Sequence, residues 1–289
     1  MCIFSLREMD TDPLYDQVSF KVSKLVTRNY STSFSIAVSF LDKEVQMAIH
    51  SIYGFVRLAD EIVDTFLLHD KETLLDKFEA DYYEAFKNGV SLNLVLHSFQ
   101  LTVKKYSISD DLIQAFLFSM RSDLHKTKYT TKSEIDLYIY GSADVVGLMC
   151  LSVFTNGDRQ MFESLKDPAM RLGSAFQKVN FLRDLRSDTE FLERQYFPEM
   201  GQGAFDDEMK LTIIKDIEQD FISARLGILK LPVNSQLAVL IAYYYYRRLV
   251  VLLKNTPARQ VLAGRVSVSG FRKTLLLIKA IVVHKLKMI

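Results

Sequence analysis

Apolar residues recur at spacings of three and four along nearly the whole chain, and strand-like alternation is rare. This periodicity predicts helices near 12–29, 43–68, 71–88, 91–105, 109–125, 133–155, 158–164, 167–192, 207–230, 234–254 and 270–287. Two starts carry capping signals: Ser133 with Asp136 behind it, and Asp167-Pro168, where proline fits a first helical turn. Breaks are expected at Asn88-Gly89, Asn156-Gly157, Gly201–Gly203 and Asn255–Pro257. No connection is long enough to separate one domain from another, so the expectation is a single all-α domain over residues 1–289.

Composition supports this. Only 5 Pro and 11 Gly occur in 289 residues, which favours long uninterrupted elements, and 49% hydrophobic residues are ample for a core. Twenty Phe and 14 Tyr without Trp predict an aromatic-rich interior. The N-terminal MCIFSLREMDTD has acids too early for a secretory leader. The longest apolar runs, Val145–Phe154 and Leu275–Val283, are too short to span a bilayer, and Lys279 interrupts the second. A cytoplasmic protein is expected, with peripheral attachment at the inner membrane face as the alternative. Cys2 and Cys150 need no oxidising compartment, and Cys150 reads as a buried structural thiol. The five His show no metal-binding spacing. Gly201-Gln202-Gly203 lacks a third glycine and a preceding strand, so no NADPH site is evident.

Charge changes the picture. The net charge is +1, yet every acid lies at or before Asp220. Residues 1–220 carry −11 and the last 69 residues +12, with no Asp or Glu among them. Such asymmetry suggests a ligand that one sign attracts. Nucleic acid is disfavoured, because the late cations sit among Leu, Ile, Val and Tyr. Arg247, Arg248, Arg265, Arg272 and Lys273 are candidates to face an anionic ligand. Lys279, Lys285 and Lys287, beside apolar neighbours, are candidates to rest on anionic lipid.

The acidic region holds the candidate chemistry. In SIYGFVRLADEIVDTF, Asp60 and Asp64 stand four residues apart, one helical face about 6 Å apart along the axis. Arg57 and Tyr53 extend that stripe. In FQKVNFLRDLRSDTEF, Asp184 and Asp188 repeat the spacing, with Asn180 and Gln177 on the stripe and Arg183 beside it. Like charges one turn apart destabilise a bare helix, and apolar neighbours such as Leu58, Ala59, Ile62 and Val63 raise the cost. A bound cation relieves both. Mg²⁺ prefers oxygen ligands and bridges carboxylates to phosphates, so two such pairs on facing helices suit a diphosphate, with Arg57 and Arg183 adding charge-assisted bonds. A single pair would more often be a solvated face; two pairs flanked by Arg favour the metal–diphosphate reading.

At these residues the chain resembles the squalene/phytoene synthase family. NYSTSF followed by AIHSIYGFVRLADEIVD (29–64), SMRSDLHKTKYTTKSEIDLYIYGSADVVGLM (119–149), LGSAFQKVNFLRDLRSD with ERQYFP (172–198) and RVSVSGFRK (265–273) are similar to its ordered motifs. The resemblance implies an isoprenoid synthase helical bundle around a central cavity. It also implies a Mg²⁺-dependent prenyltransferase, with Mn²⁺ as a substitute, that joins two allylic diphosphates head to head. By position, Asp60, Asp64, Asp184 and Asp188 would be metal ligands. Asn180, Arg57, Arg183 and Tyr196 would hold diphosphates, and Ser31, Ser33 and Phe34 would lie at the first substrate. Tyr138, Val146, Gly147 and Gln177 would line the tails' channel. Phe34, Tyr53, Tyr138 and the Tyr243–Tyr246 run are candidates to face cations, with Tyr245 taken as the late pocket tyrosine. Two features depart from the family pattern. Ser142 and Asp144 stand where valine and glycine are usual, and the step from Asp188 to Tyr196 is one residue longer. The family's squalene synthases use NADPH, and the eukaryotic ones carry a C-terminal membrane helix not expected here. Within the resemblance, two geranylgeranyl diphosphates giving phytoene is the first expectation, and farnesyl diphosphate giving dehydrosqualene or squalene the second. A non-catalytic, membrane-associated relative is disfavoured because all four Asp are intact. Oligomeric state is left open.

Overall fold

A computed structural model describes residues 12–190, 193–203 and 205–286. Among them the regular elements are helical: α1 (Pro13–Tyr30), α2 (Thr32–Val38), α3 (Lys43–Asp64), α4 (Lys71–Asn88), α5 (Leu94–Tyr106), α6 (Asp110–Ser122), α7 (Lys132–Ile139), α8 (Val145–Thr155), α9 (Arg159–Arg183), α10 (Leu185–Glu190), α11 (Asp207–Ile228), α12 (Val233–Asn255), α13 (Ala258–Ala263) and α14 (Gly270–Lys285). A π-helical turn, Tyr140–Asp144, joins α7 to α8, and a 3₁₀ turn spans Pro198–Gln202. The only β-type pairing among the described residues is a bridge between Lys128 and Gln195.

Local chemistry sets most boundaries. Asp70, Asn93, Asp158 and Asp206 accept hydrogen bonds from first-turn N–H groups at their helix starts. Gly89 (φ 79°) ends α4 in the left-handed conformation, and Asn156 (φ 47°) ends α8 the same way. Both capping expectations need correction. The helix expected at Ser133 is capped two residues earlier by Thr131, whose Oγ1 accepts from Glu134 N–H at 3.2 Å while Glu134 Oε2 accepts from Thr131 N–H at 3.3 Å. Pro168 does not start a helix; it lies inside α9, which runs unbroken where two helices were expected. The missing N–H and ring clash cost a helix about 3 kcal/mol. Burial of α9 between α8 and α11 offsets that, with the proline ring pressed so closely onto Gly227 that any Cβ there would collide with it. The expected helix at 43–68 stops at Asp64, and that at 167–192 breaks at Asp184. The short α2 and α13 were not expected.

Two apolar clusters flank the centre. One gathers around Phe55, which stacks on Phe99 at 4.0 Å and meets Phe78 and Phe116, and it includes most of α8. The other holds Val179, Leu182, Ile217, Phe221 and Leu249 from α9, α11 and α12. The stretches Lys132–Thr155 and Val233–Asn255 are long and apolar enough to cross a membrane, which uninterrupted apolar runs did not reveal. Val145, Leu148, Met149 and Leu151 of the first are at most 1% exposed, as in a central helix apolar on all sides.

Candidate active site

A cavity of about 1040 Å³ lies between the clusters, walled by α2, α3, α8, α9, α11, α12 and the segment from Arg265 through α14. Along α3 its lining passes from Ile49 through Tyr53 and Val56 to Arg57, Asp60 and Asp64. Along α9 it passes from Leu165, Ala169 and Leu172 through Gln177 and Asn180 to Arg183, Asp184 and, beyond the break, Asp188. Both helices thus run from apolar wall to charged wall, with their C-terminal ends at the charged side.

Arg194 ties those ends together. Its Nη1 donates to Asp64 Oδ1 at 2.7 Å and to Tyr196 Oη at 3.3 Å, its Nη2 to the Asp123 carbonyl at 3.3 Å, and its N–H to the Asp188 carbonyl at 2.7 Å. Only 6% exposed, it keeps its charge more firmly than a free arginine, since Tyr196, Asp123 and Asp64 outweigh the burial that opposes charge. It follows Glu193, a residue at φ 53°, in the segment where the step from Asp188 to Tyr196 is lengthened. Gln195 and Tyr129 then pair along the bridge.

The carboxylates are under strain of the kind a cation relieves. Burial pushes Asp60 up to about 7, helped by Asp64 and opposed by Arg57 and Arg194. Burial and Asp184 push Asp188 up to about 7. Asp123, absent from the expected set, is also pushed up to about 7 by burial; its Oδ2 accepts from Tyr138 Oη at 2.7 Å while its Oδ1 is buried without a partner. Asp60 and Asp64 occupy the last turn of α3 and Asp184 caps α9, the negative ends of the helix dipoles. Arg57 pairs with Glu61 and approaches Asp60 at 3.4 Å, leaving its buried Nε without a partner. Arg183 Nε holds Asp184 at 3.1 Å, and Arg265 Nε reaches Asp184 Oδ1 at 2.7 Å. Among the described residues no three His, Cys, Asp or Glu form a ready cage for a metal. The donors are carboxylate oxygens on two walls, which fits a hard cation that keeps waters and takes further oxygens from a phosphate.

The residues that the carboxylate stripes and the family motifs place at the site all line this cavity: Ser31, Ser33, Phe34, Tyr53, Arg57, Asp60, Asp64, Tyr138, Val146, Gly147, Gln177, Asn180, Arg183, Asp184, Asp188, Tyr196 and Tyr245; the other late candidates Arg247, Arg248, Arg272, Tyr243 and Tyr244 do not. Ser31 caps α2, and Phe34 stacks on Tyr53 at 5.2 Å. Burial pushes Tyr53 up to about 12. Tyr196 is 5% exposed and stacks flat on Phe181 at 3.8 Å, so its hydroxyl serves Arg194. The tyrosine run divides: Tyr245 and Tyr246 line the cavity, and Tyr246 Oη donates to Asn180 Oδ1 at 3.2 Å while its ring stacks on Phe176 at 3.9 Å. The two departures also divide. Ser142 lines the cavity and accepts from Gln177 Nε2 at 3.3 Å; Asp144 lies off the wall and accepts from Ser174 Oγ at 2.8 Å. Cys150 is a half-buried wall residue rather than a fully buried one, and burial pushes its thiol up to about 12. Of the late cations, Arg265 and Lys273 reach the cavity. Cys2 and Lys287 lie outside the described residues.

Comparison with known proteins bears on the family and the fold. The squalene/phytoene synthase family profile matches residues 27–202. The chain is 30% identical to the chloroplastic phytoene synthase 3 of Zea mays over 196 residues, 67% of this chain and 44% of the maize protein. It is 32% identical to the chloroplastic phytoene synthase of Cucumis melo over 189 residues, 63% of this chain and 44% of the melon protein. The matches to these two span less than half the length of each. Among solved structures, a dehydrosqualene synthase in complex with ligand superposes with a TM-score of 0.80 at 21% identity, covering 94% of this chain and 98% of that one. Squalene synthase HpnC from Alicyclobacillus acidocaldarius gives a TM-score of 0.74 at 19% identity, covering 88% and 98%. Both likenesses are of fold.

Proposed function

From the premise that this chain belongs to the squalene/phytoene synthase family, we propose that it is a prenyltransferase that joins two geranylgeranyl diphosphates head to head into phytoene by way of a cyclopropylcarbinyl diphosphate. The observation that carries this reading is the paired gradient along α3 and α9. Two apolar walls end in two carboxylate pairs that Arg194 connects through the Asp64 carboxylate and the Asp188 carbonyl, a shape for greasy tails with diphosphate heads.

Asp60, Asp64, Asp184 and Asp188 would hold Mg²⁺. A divalent cation held there would supply positive charge to offset that of a departing diphosphate. The chain's own residues do the rest. Arg57, whose Nε is free, Arg183 and Asn180 bind diphosphate oxygens. The stacked Phe34–Tyr53 and Phe176–Tyr246 pairs present ring faces that stabilise the allylic cation. The walls exclude water that would otherwise quench it.

Incubating the purified chain with Mg²⁺ and geranylgeranyl or farnesyl diphosphate, followed by lipid analysis, tests this. Phytoene from the longer substrate is expected. A thirty-carbon product from farnesyl diphosphate alone would replace the substrate assignment with dehydrosqualene or squalene synthesis, and no product from either would overturn the reading.

A further inference from the structure

We propose that the outer face of α14 docks the protein on an anionic lipid surface. At 3.6 residues per turn, Phe271, Leu275, Ile278, Val282 and Leu286 fall within an arc of about 80°. All five are exposed, from 47% for Val282 to 74% for Phe271. Arg272 and Lys279 border the arc on one side and Lys285 on the other, all three exposed. An apolar stripe with a cationic rim is the pattern of a helix lying in a membrane interface.

Charge selects the occupant. No acid follows Asp220, so neither α14 nor α12 beneath it carries one, and α2, whose Ala37 packs with Ala280, carries none either. That one-signed field attracts anionic headgroups. A second copy meeting this face by two-fold symmetry would set the cationic rim against itself. Nucleic acid would leave five large apolar side chains in water. The helix is also the cavity's partition: Lys273, Leu276 and Leu277, on its opposite side, line the cavity. The lipid contact would thus lie one helix away from the apolar interior. The docking surface stands on exposure and charge, and its test is independent of the reaction.

Co-sedimentation of the full chain with phosphatidylcholine vesicles, with and without phosphatidylglycerol, tests it. Binding is expected only with the anionic lipid. Phe271→Ser with Ile278→Ser should weaken it on the order of 100-fold, as for two large apolar side chains. Arg272→Ala with Lys285→Ala should weaken it roughly 30-fold, as for two basic residues at an anionic surface. Leu92→Ser, at a site 95% exposed between α4 and α5, should leave binding unchanged. Matching circular dichroism melts will show that the variants fold. Absence of binding by the unaltered chain overturns the proposal, as does equal binding by the stripe variant. A dimer in sedimentation velocity that the stripe variant dissociates, without vesicle binding, assigns the face to self-association instead.

Discussion

The two carboxylate walls share a spacing but not a construction. Asp60 and Asp64 stand on the unbroken last turns of α3, whereas Asp184 caps α9 and Asp188 sits past the break in α10. Within each wall one member is held closely by arginine, Asp64 by the buried Arg194 and Asp184 by Arg183 and Arg265, while Arg57 meets Asp60 only at 3.4 Å. The other member, Asp60 or Asp188, stands beside that neighbour's charge, and burial pushes it up to about 7. The pairs therefore combine a fixed acceptor with an acceptor whose charge is expensive until a cation arrives. A sequence spacing of four describes both walls and distinguishes neither member.

The strongest way to break this contrast is to neutralise the costly members. Asp60→Asn and Asp188→Asn should each lower turnover on the order of 10²- to 10³-fold, the range for removing one preorganised charge contact. Both should raise the melting temperature of the unliganded chain, because a like-charge repulsion in a half-buried site disappears. Asp64→Asn should also lower turnover but should reduce the melting temperature, since Arg194 loses a partner. Steady-state kinetics beside thermal melts would check this, and a lowered melting temperature for Asp60→Asn would remove the distinction.

Arg194→Gln should destabilise the fold by about 3 kcal/mol, at the low end for removing one partner of a buried pair because Asp64 partly faces the cavity. Chemical denaturation measures this. A loss below about 1 kcal/mol would make Arg194 an ordinary surface cation and separate the two walls.

The costly carboxylates also set a pH dependence. Asp60, Asp188, Asp123 and Asp144 are all raised from 3.8 to about 7, mainly by burial. Between those values the folded chain keeps protons that the unfolded chain has released, so stability is greatest at the acidic end and falls as pH rises toward 7. Melts of chelator-treated protein should therefore decline from about pH 5 to about pH 8, and Asp60→Asn should flatten the decline. Added Mg²⁺ with pyrophosphate should flatten it too. A melting temperature that rises over this window would mean the carboxylates are already compensated.

What the sequence made legible follows from what repeats. Both Asp pairs announce themselves by spacing, with Arg57, Asn180 and Gln177 on their stripes and Arg183 beside one, and the family motifs add Ser31, Ser33 and Phe34; all reach one cavity. Arg194 has no periodic signal, because it lies in an extended segment and works through contacts with α3 and the end of α6. Asp123 was hidden at the C-terminus of α6, more than 50 residues before Asp184. Within four consecutive tyrosines, helical rotation alone brings Tyr245 and Tyr246 to the cavity, so a choice of one was underdetermined. α2 and α13, of 7 and 6 residues, are shorter than the window in which periodicity can be read. Pro168 misled because its penalty is local while the packing that offsets it comes from α11.

The smallest expected effect is the sharpest probe of how the second wall differs from the first. Arg265 touches Asp184 from outside, with 66% of its side chain exposed, while Arg183 holds the same carboxylate with 14% exposed. Arg265→Ala therefore leaves Asp184 paired, and an exposed ion pair contributes under about 1 kcal/mol. The melting temperature should move by no more than about 3 °C. Raising salt should shrink that shift, since solvent ions screen Arg265 but not Arg194. A shift as large as that of Arg194→Gln would mean that the segment after α13 is built into the second wall as firmly as Arg194 is into the first.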